Sequence, residues 1–182
     1  MRLYVYPLIL AGIIVWFYPF IPAHQKTAPA AVVNRTSRWG ILLQFLAFSC
    51  LWQGRFWTRP SPIWRVLICI VLFTLACVLS WSSSRALSGQ LRADAALGPD
   101  HRLVRSGPYS LVRNPIYLSM LLVMAAIAVI VTPLPLFLLA LALFVVGTEI
   151  RVRAEEKLLA SRFNEGFTAY KQSTPAYIPF LR

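Results

Sequence analysis

Apolar residues in this chain form long runs separated by short polar segments. Three runs occupy residues 3–21, 39–57 and 63–81, and a fourth covers 116–148. Each of the first three matches the length of one helix across the ~30 Å hydrocarbon core of a membrane. The fourth would extend roughly 50 Å as a single helix, which is too long for one crossing. The pattern therefore predicts two helices in this last run.

Two prolines, Pro133 and Pro135, stand near the middle of the fourth run. Proline lacks a backbone N–H and interrupts helices, so we expect a helical hairpin at 116–150. Both ends of such a hairpin face the same side of the membrane. This arrangement would bring Tyr117 close to Arg151, although they are far apart in sequence. The predicted fold is all-α, a polytopic membrane bundle of about five transmembrane helices.

The C-terminal region changes character after Gly147. Its apolar residues recur at three- and four-residue spacing with charged residues between them, which predicts an amphipathic helix that lies on the membrane or closes over a pocket. These apolar residues are Leu158, Leu159, Phe163, Phe167 and Tyr170. We therefore expect one integral membrane domain, 1–182, with four parts: three N-terminal spans (1–82), a cytoplasmic loop (83–115), the hairpin (116–150), and a cytoplasmic C-terminal helix and tail (151–182).

Composition and charge support this class of protein. Hydrophobic residues make up 58% of the chain and charged residues only 13%, about half of what a soluble domain carries. The net charge is +12, but the basic residues stand singly between apolar runs and form no nucleic-acid-binding motif. With the N-terminus outside, fourteen of the 18 Lys and Arg residues fall on the cytoplasmic side. We therefore expect contact with membrane lipids and no nucleic-acid partner.

The three cysteines, Cys50, Cys69 and Cys77, all lie inside apolar runs. Their spacing fits neither a zinc site nor a disulfide framework, and it is typical of small buried side chains. No metal site is predicted.

Two polar blocks border the apolar mass near the C-terminus, at 101–117 and 151–156. Ionisable groups are costly beside lipid, so such a cluster indicates a functional site. Arg151 and Glu155 are four residues apart and share one helix face. The spacing alone is equally typical of an ordinary salt bridge, and Glu149 with Arg153 forms a second such pair.

Taken together, the blocks resemble the isoprenylcysteine carboxyl methyltransferase family, over about residues 94–180. The first block carries the matching residues His101, Leu103, Val104, Gly107, Tyr109, Arg113, Pro115 and Tyr117. The second carries Arg151, Glu155, Glu156, Leu159, Phe163, Phe167, Tyr170, Pro175 and Pro179. The resemblance implies methyl transfer from S-adenosylmethionine, taken from the cytosol, to a lipophilic or amphiphilic acceptor in the bilayer.

The resemblance also assigns residues to the site. The cofactor-binding set would be His101, Leu103, Val104, Tyr109, Asn114, Pro115, Tyr117 and Glu155, with Asp94 as a further candidate for the cofactor's ammonium or ribose. Arg151 would hold the acceptor's polar group, and Arg151 and Glu155 are the predicted catalytic pair. A carboxylate can balance the cofactor's cationic charge, and tyrosine faces can contact its sulfonium.

Two positions depart from the family pattern. Asn114 replaces the usual His of an Arg-His-Pro triplet, so it can exchange hydrogen bonds but cannot carry charge. Asn164 replaces a Gly. Cofactor binding survives the Asn114 change more readily than any acid–base role at that position.

The acceptor stays open at this stage. A carboxylate, as in isoprenylcysteine methylation, would need no general base. A thiol or a phospholipid amine would need one, and only Glu156 or His101 stands out. An NADPH-dependent membrane reductase of the sterol-reductase type and a non-catalytic membrane scaffold are the alternative functions.

Overall fold

The computed structural model describes residues 4–21, 32–33, 35–53, 61–87, 96–97 and 102–177. Within these ranges the regular structure is helical apart from one pair of two-residue strands, which agrees with the all-α prediction. The helices are α1 (Val5–Phe17), α2 (Ser37–Cys50), α3 (Ile63–Leu87), α4 (Pro115–Val131) and α5 (Leu134–Ser173). Short 3₁₀ turns cover Tyr18–Phe20 and Gly107–Ser110, and strand β1 (Val32–Val33) pairs antiparallel with β2 (Ala96–Leu97).

Two of the described helices, α3 and α5, are long and apolar enough to cross a membrane. The apolar segment Val5–Phe20 and helix α4 are shorter than such a span, and α2 has 14 residues. Many large apolar side chains on α3 and α5 are exposed, as on surfaces that face lipid. These features support membrane association, while the predicted arrangement of five crossings stays a prediction.

The break predicted inside the last apolar run is confirmed. Helix α4 ends at Val131 and α5 begins at Leu134, with Pro133 in extended conformation between them. The hydroxyl of Thr132 donates a hydrogen bond of 2.9 Å to the carbonyl of Leu51, just after α2. This bond fixes the turn against the end of α2.

The helices pack mainly as two pairs, α2 with α5 and α3 with α4. Helix α2 packs mainly against α5, and α3 packs against both α4 and α1. A Cβ atom at Gly12 would lie 2.6 Å from the Phe73 ring, so glycine permits the close approach of α1 to α3. The indole of Trp16 also donates to the Ser119 hydroxyl, at 3.0 Å, and joins α1 to α4. The core formed in this way positions the polar end of α4 beside α5.

Helix α5 does not end near residue 150, where the sequence predicted a boundary. It continues past Arg151 and Glu155 to Asn164, where the backbone leaves the helical region (φ 41°, ψ −115°), and a second helical stretch then reaches Ser173. Asparagine adopts positive φ more readily than most residues. Gly147, after which the sequence becomes amphipathic, lies inside this helix and allows the close contact with α2.

Candidate functional site

The polar ends of α4 and α5 meet at three of the residues predicted from sequence. The hydroxyl of Tyr117, in the first turn of α4, donates a hydrogen bond to Oε1 of Glu155 on α5. Nη2 of Arg151 lies 4.0 Å from the same oxygen. The Arg151 guanidinium also sits over the Tyr117 ring, 5.0 Å from its centroid. An anion, a cation and an aromatic face are thus assembled in one cluster, which we call the Tyr117–Arg151–Glu155 cluster.

The electrostatics of this cluster follow from its burial. The cluster lies beyond the apolar first half of α5, and both Tyr109 and Tyr117 are buried. Burial raises the pKa of the Glu155 carboxyl, while Arg151 and the Tyr117 hydrogen bond act in the opposite direction. Burial also raises the pKa of Tyr109, and the nearby Glu155 adds to that rise. Both effects indicate a partly desolvated site. A cationic ligand bound there would stabilise the ionised carboxylate of Glu155.

The side chain of Arg151 is held from a third helix. Oε1 of Gln44, on α2, accepts a hydrogen bond of 2.8 Å from Nη1 of Arg151. Nε2 of Gln44 donates to the Thr148 hydroxyl at 2.8 Å, and only 3% of Gln44 is exposed. Sequence reasoning missed Gln44. The signal that could have revealed it was a polar amide in the middle of an apolar run.

Two glycines allow α2 to approach α5 this closely. A Cβ atom at Gly40 would lie 2.4 Å from both the Gly147 carbonyl oxygen and Cγ of Arg151. A Cβ atom at Gly147 would lie 2.8 Å from the Gly40 carbonyl oxygen. Small residues at such crossings let helix backbones come together. The stem of Arg151 therefore packs over Gly40, and the contact determines where its guanidinium lies.

The second carboxylate of the block, Glu156, has a different set of partners. Its Oε1 lies 2.8 Å from Nη2 of Arg113, and its Oε2 accepts from Nζ of Lys171 at 2.6 Å. The Arg113 side chain is only 10% exposed and Glu156 only 17%. Glu156, which the sequence offered as a possible base, thus joins the loop before α4 to the C-terminal end of α5.

The tail segment, residues 174–177, runs against the start of α4. The backbone N–H of Arg113 donates to the Pro175 carbonyl at 2.9 Å. The backbone and side-chain amides of Asn114 both donate to the Ala176 carbonyl, at 3.1 and 3.0 Å. The Tyr177 hydroxyl then donates to Oε2 of Glu149 at 3.0 Å. Asn114, predicted to bind the cofactor, therefore has its amide nitrogen committed to the tail.

The remaining predicted residues that the structure describes differ in burial. Tyr109 is buried in the 3₁₀ turn, and its carbonyl accepts a hydrogen bond of 2.6 Å from the Tyr170 hydroxyl. Leu103 and Val104 are half-buried in the segment before this turn, and Pro115 is buried at the start of α4. Asp94 and His101 lie outside the described residues.

The donor set fits the charge pattern of the cofactor implied by the resemblance. The Tyr117 hydrogen bond and the Arg151 contact both fall on Oε1 of Glu155. A carboxylate beside an aromatic ring suits a sulfonium or ammonium group. Within the described ranges, no three His, Cys, Asp or Glu residues are grouped so that they could hold a metal ion.

Comparisons with known proteins agree with this chemistry. A family model described as phospholipid methyltransferase matches residues 64–166. It confirms the resemblance found in the sequence, because this family lies in the same superfamily of membrane methyltransferases as the isoprenylcysteine enzymes. The matched segment includes α4, nearly all of α3 and α5 as far as Gly166, and it leaves out α1, α2 and the tail segment.

Two curated proteins are similar over much of the chain. The cobalt-zinc-cadmium resistance protein CzcN of Cupriavidus metallidurans is 27% identical over 173 residues, which cover 88% of this chain and 73% of that protein. The nickel-cobalt-cadmium resistance protein NccN of Alcaligenes xylosoxydans xylosoxydans is 26% identical over 137 residues. That second match covers 65% of this chain and 64% of the relative's length.

Proposed function

Because this chain belongs to the phospholipid methyltransferase family, we propose that it transfers a methyl group from S-adenosylmethionine to a lipophilic or amphiphilic acceptor within the membrane. The observation that carries the proposal is the Tyr117–Arg151–Glu155 cluster, in which a carboxylate and a guanidinium share one partly buried site. The cluster offers an anion for a cationic cofactor and a cation for the acceptor's polar group.

Glu155 is the residue that we assign to the cofactor. S-adenosylmethionine, when bound, would supply an electrophilic methyl group on a positively charged sulfur. The Glu155 carboxylate would balance the positive charge of the cofactor, including that of its ammonium group, which S-adenosylhomocysteine retains, and the faces of Tyr109 and Tyr117 would contact the cofactor. The Tyr117 hydrogen bond holds the carboxylate in place before the ligand arrives. Such preorganisation avoids a reorganisation cost at the moment of reaction.

The wider cofactor pocket that we propose uses the loop before α4. Leu103 and Val104 would supply its apolar wall, and Asn114 and Pro115 the start of α4. The amide nitrogen of Asn114 binds the tail, so its contribution would come through its carbonyl oxygen or its backbone. His101 and Asp94 would complete the pocket from the segment preceding the 3₁₀ turn.

Arg151 is the residue that we assign to the acceptor. A guanidinium binds carboxylates and phosphates through paired hydrogen bonds. An ionised carboxylate acceptor would require no general base, so the protein would supply alignment and exclusion of water. A phospholipid head group is the second candidate, and the family match favours it. The phosphate of this head group could bind to the Arg151 guanidinium. The amine of the head group would have to lose a proton before it could accept the methyl group.

We also propose that the site faces the cytoplasm in a bundle of about five crossings. The support is the distribution of charge, with fourteen of the 18 Lys and Arg residues on the side of the two polar blocks. A cytoplasmic site gives access to a soluble cofactor, while the acceptor enters from the bilayer.

The direct test is transfer of label from methyl-tritiated S-adenosylmethionine into lipid extracted from membranes that contain the protein. We expect incorporation above empty membranes, and its loss in Glu155→Gln and Arg151→Gln. Arg153→Gln is the matched control, because Arg153 is on the same helix but its side chain is 78% exposed. Incorporation that persists undiminished in both site variants would contradict the proposal.

The names of the two relatives refer to resistance to cobalt, zinc, nickel and cadmium. If this chain confers such resistance, we infer that the methylated product causes it, because the carboxylates of the site are engaged by arginine and tyrosine side chains. Cells that express Glu155→Gln should then lose metal tolerance together with methyl transfer. Tolerance that persists without transfer would contradict this link.

A further inference from the structure

We infer that Gln44 is the positioning residue of the acceptor site, and that it makes this site select an acceptor with an anionic head group. The inference rests on the proposed function, because it takes Arg151 as the acceptor-binding residue. It goes further by assigning a role to α2, which lies outside the segment that matches the family model.

The geometry places Gln44 between two residues of one α5 face. Its Oε1 accepts from Nη1 of Arg151, and its Nε2 donates to the hydroxyl of Thr148, each at 2.8 Å. The amide is thus fixed at both ends in a buried position. Because the Arg151 guanidinium can only donate, the amide oxygen must face it, and the amide nitrogen is left to donate to Thr148.

The guanidinium is oriented from two further directions. Its carbon lies 5.0 Å from the Tyr117 ring centroid, and the stem of Arg151 packs against Gly40. Arginine binds an anion best when its planar fork is held in one orientation. Gln44, the Tyr117 ring and the Gly40 contact together fix that orientation before any acceptor is present.

The chemical type of residue 44 is the decisive point. A glutamine carbonyl holds the guanidinium by a hydrogen bond without adding negative charge. A glutamate at the same position could hold Arg151 as well, but it would neutralise the cation and repel an anionic acceptor. The remaining carboxylate of the cluster, Glu155, is more distant, at 4.0 Å, and is the group that we assign to the cofactor. The neutral amide therefore preserves the positive charge for a carboxylate or phosphate.

The experiment compares binding of two probes that differ only in charge. N-acetyl-S-farnesylcysteine carries a carboxylate, and its carboxamide does not. Each is titrated into detergent-solubilised protein that has been saturated with S-adenosylhomocysteine. The wild type should bind the acid about tenfold more tightly than the carboxamide, as expected for one hydrogen bond to a charged group.

Three variants test whether Gln44 positions the Arg151 guanidinium or only stabilises the fold. Gln44→Glu should keep its thermal unfolding midpoint and its affinity for S-adenosylhomocysteine, yet lose the preference for the acid. Gln44→Leu should reduce that preference while leaving binding of the carboxamide unchanged. Gln53→Leu is the matched control, because Gln53 bonds to the Ser49 carbonyl at the far end of α2, and it should behave like the wild type.

The outcomes distinguish a failure of the role of Gln44 from a failure of the methyltransferase function. A wild-type preference that survives in both Gln44 variants would overturn the role of Gln44. A wild type that binds S-adenosylhomocysteine but treats the two probes alike would also overturn it, while leaving the proposed methyltransferase function intact. A wild type that binds no S-adenosylhomocysteine would overturn the proposed function itself.

Discussion

Tyr117 and Glu155 lie 38 residues apart in the chain, and the hydroxyl of the first donates a hydrogen bond to the carboxylate of the second. This bond joins the start of α4 to the polar half of α5. It is a direct contact between the first and the second polar block. The first prediction concerns this bond.

Replacing Tyr117 by Phe removes the hydroxyl but keeps the ring beneath Arg151. The affinity for S-adenosylhomocysteine should fall about tenfold, because a hydrogen bond to a charged group is lost. Calorimetric titration measures this change. Tyr177→Phe is the matched control, since the Tyr177 hydroxyl bonds to Glu149 instead of Glu155. Equal affinities in the wild type and Tyr117→Phe would show that the bond does not support cofactor binding.

Replacing Gly40 by Ala tests the close contact of α2 with α5. The new Cβ would lie 2.4 Å from the Gly147 carbonyl and from Cγ of Arg151, so one of the helices must shift. We expect a loss of about 2 kcal/mol in the free energy of unfolding, typical of overpacking, together with weakened acceptor binding. Unfolding in mixed detergents measures the first effect.

Gly166→Ala provides the control for this substitution. Its new Cβ would lie 3.2 Å from the end of the flexible Arg105 side chain, which can move aside. Its stability should stay close to that of the wild type. If Gly40→Ala proved as stable as Gly166→Ala, the α2–α5 contact would be looser than described.

Replacing Arg113 by Gln tests the ion pair that joins the loop to α5. The substitution leaves Glu156 mostly buried with only Lys171 as a cationic partner, and it removes hydrogen bonds to the carbonyls of Lys171 and Thr174. We expect a loss of about 3 kcal/mol in the free energy of unfolding. Detergent unfolding followed by tryptophan fluorescence measures it.

The control for Arg113 is Arg153→Gln. Its ion pair with Glu149 is close, at 2.7 Å, but the Arg153 side chain is 78% exposed. An exposed pair of this kind contributes less than about 1 kcal/mol. Similar losses in the two variants would mean that burial of Arg113 does not strengthen its pairing.

Replacing Asn114 by Ala tests how the tail segment is held. The side-chain bond to the Ala176 carbonyl is lost, although the backbone bond to the same oxygen remains. We expect faster proteolysis after Lys171 and faster amide exchange in residues 174–177. Asn114→His should restore protection if an imidazole N–H can replace the amide donor. Unchanged exchange in Asn114→Ala would show that the backbone bonds suffice.

The sequence predicted the parts of the structure that depend on local pattern. The prolines at 133 and 135 predicted the break between α4 and α5, and the hairpin logic brought Tyr117 to Arg151 and Glu155. The spacing of Arg151 and Glu155 left open whether they form an ordinary salt bridge. In the structure the two side chains form an i,i+4 salt bridge of 4.0 Å, and the Tyr117 hydroxyl bonds to the same carboxylate oxygen.

The parts that were missed depend on contacts distant in sequence. Gln44 lies 104 residues from Thr148, and no periodicity or motif links the two positions. The close approach of Gly147 to Gly40 on α2 likewise joins positions that no local pattern connects. Tyr177 was overlooked because an aromatic residue in a tail carries no signal of the carboxylate that it meets in the folded protein.

The measurement that tests the central claim most directly is calorimetric titration of the detergent-purified protein with S-adenosylhomocysteine, beside Glu155→Gln. The account predicts saturable binding by the wild type and its loss in the variant, with both proteins unfolding at similar temperatures. Wild-type protein that is folded but binds no S-adenosylhomocysteine, and binds NADPH instead, would contradict the account and indicate a reductase.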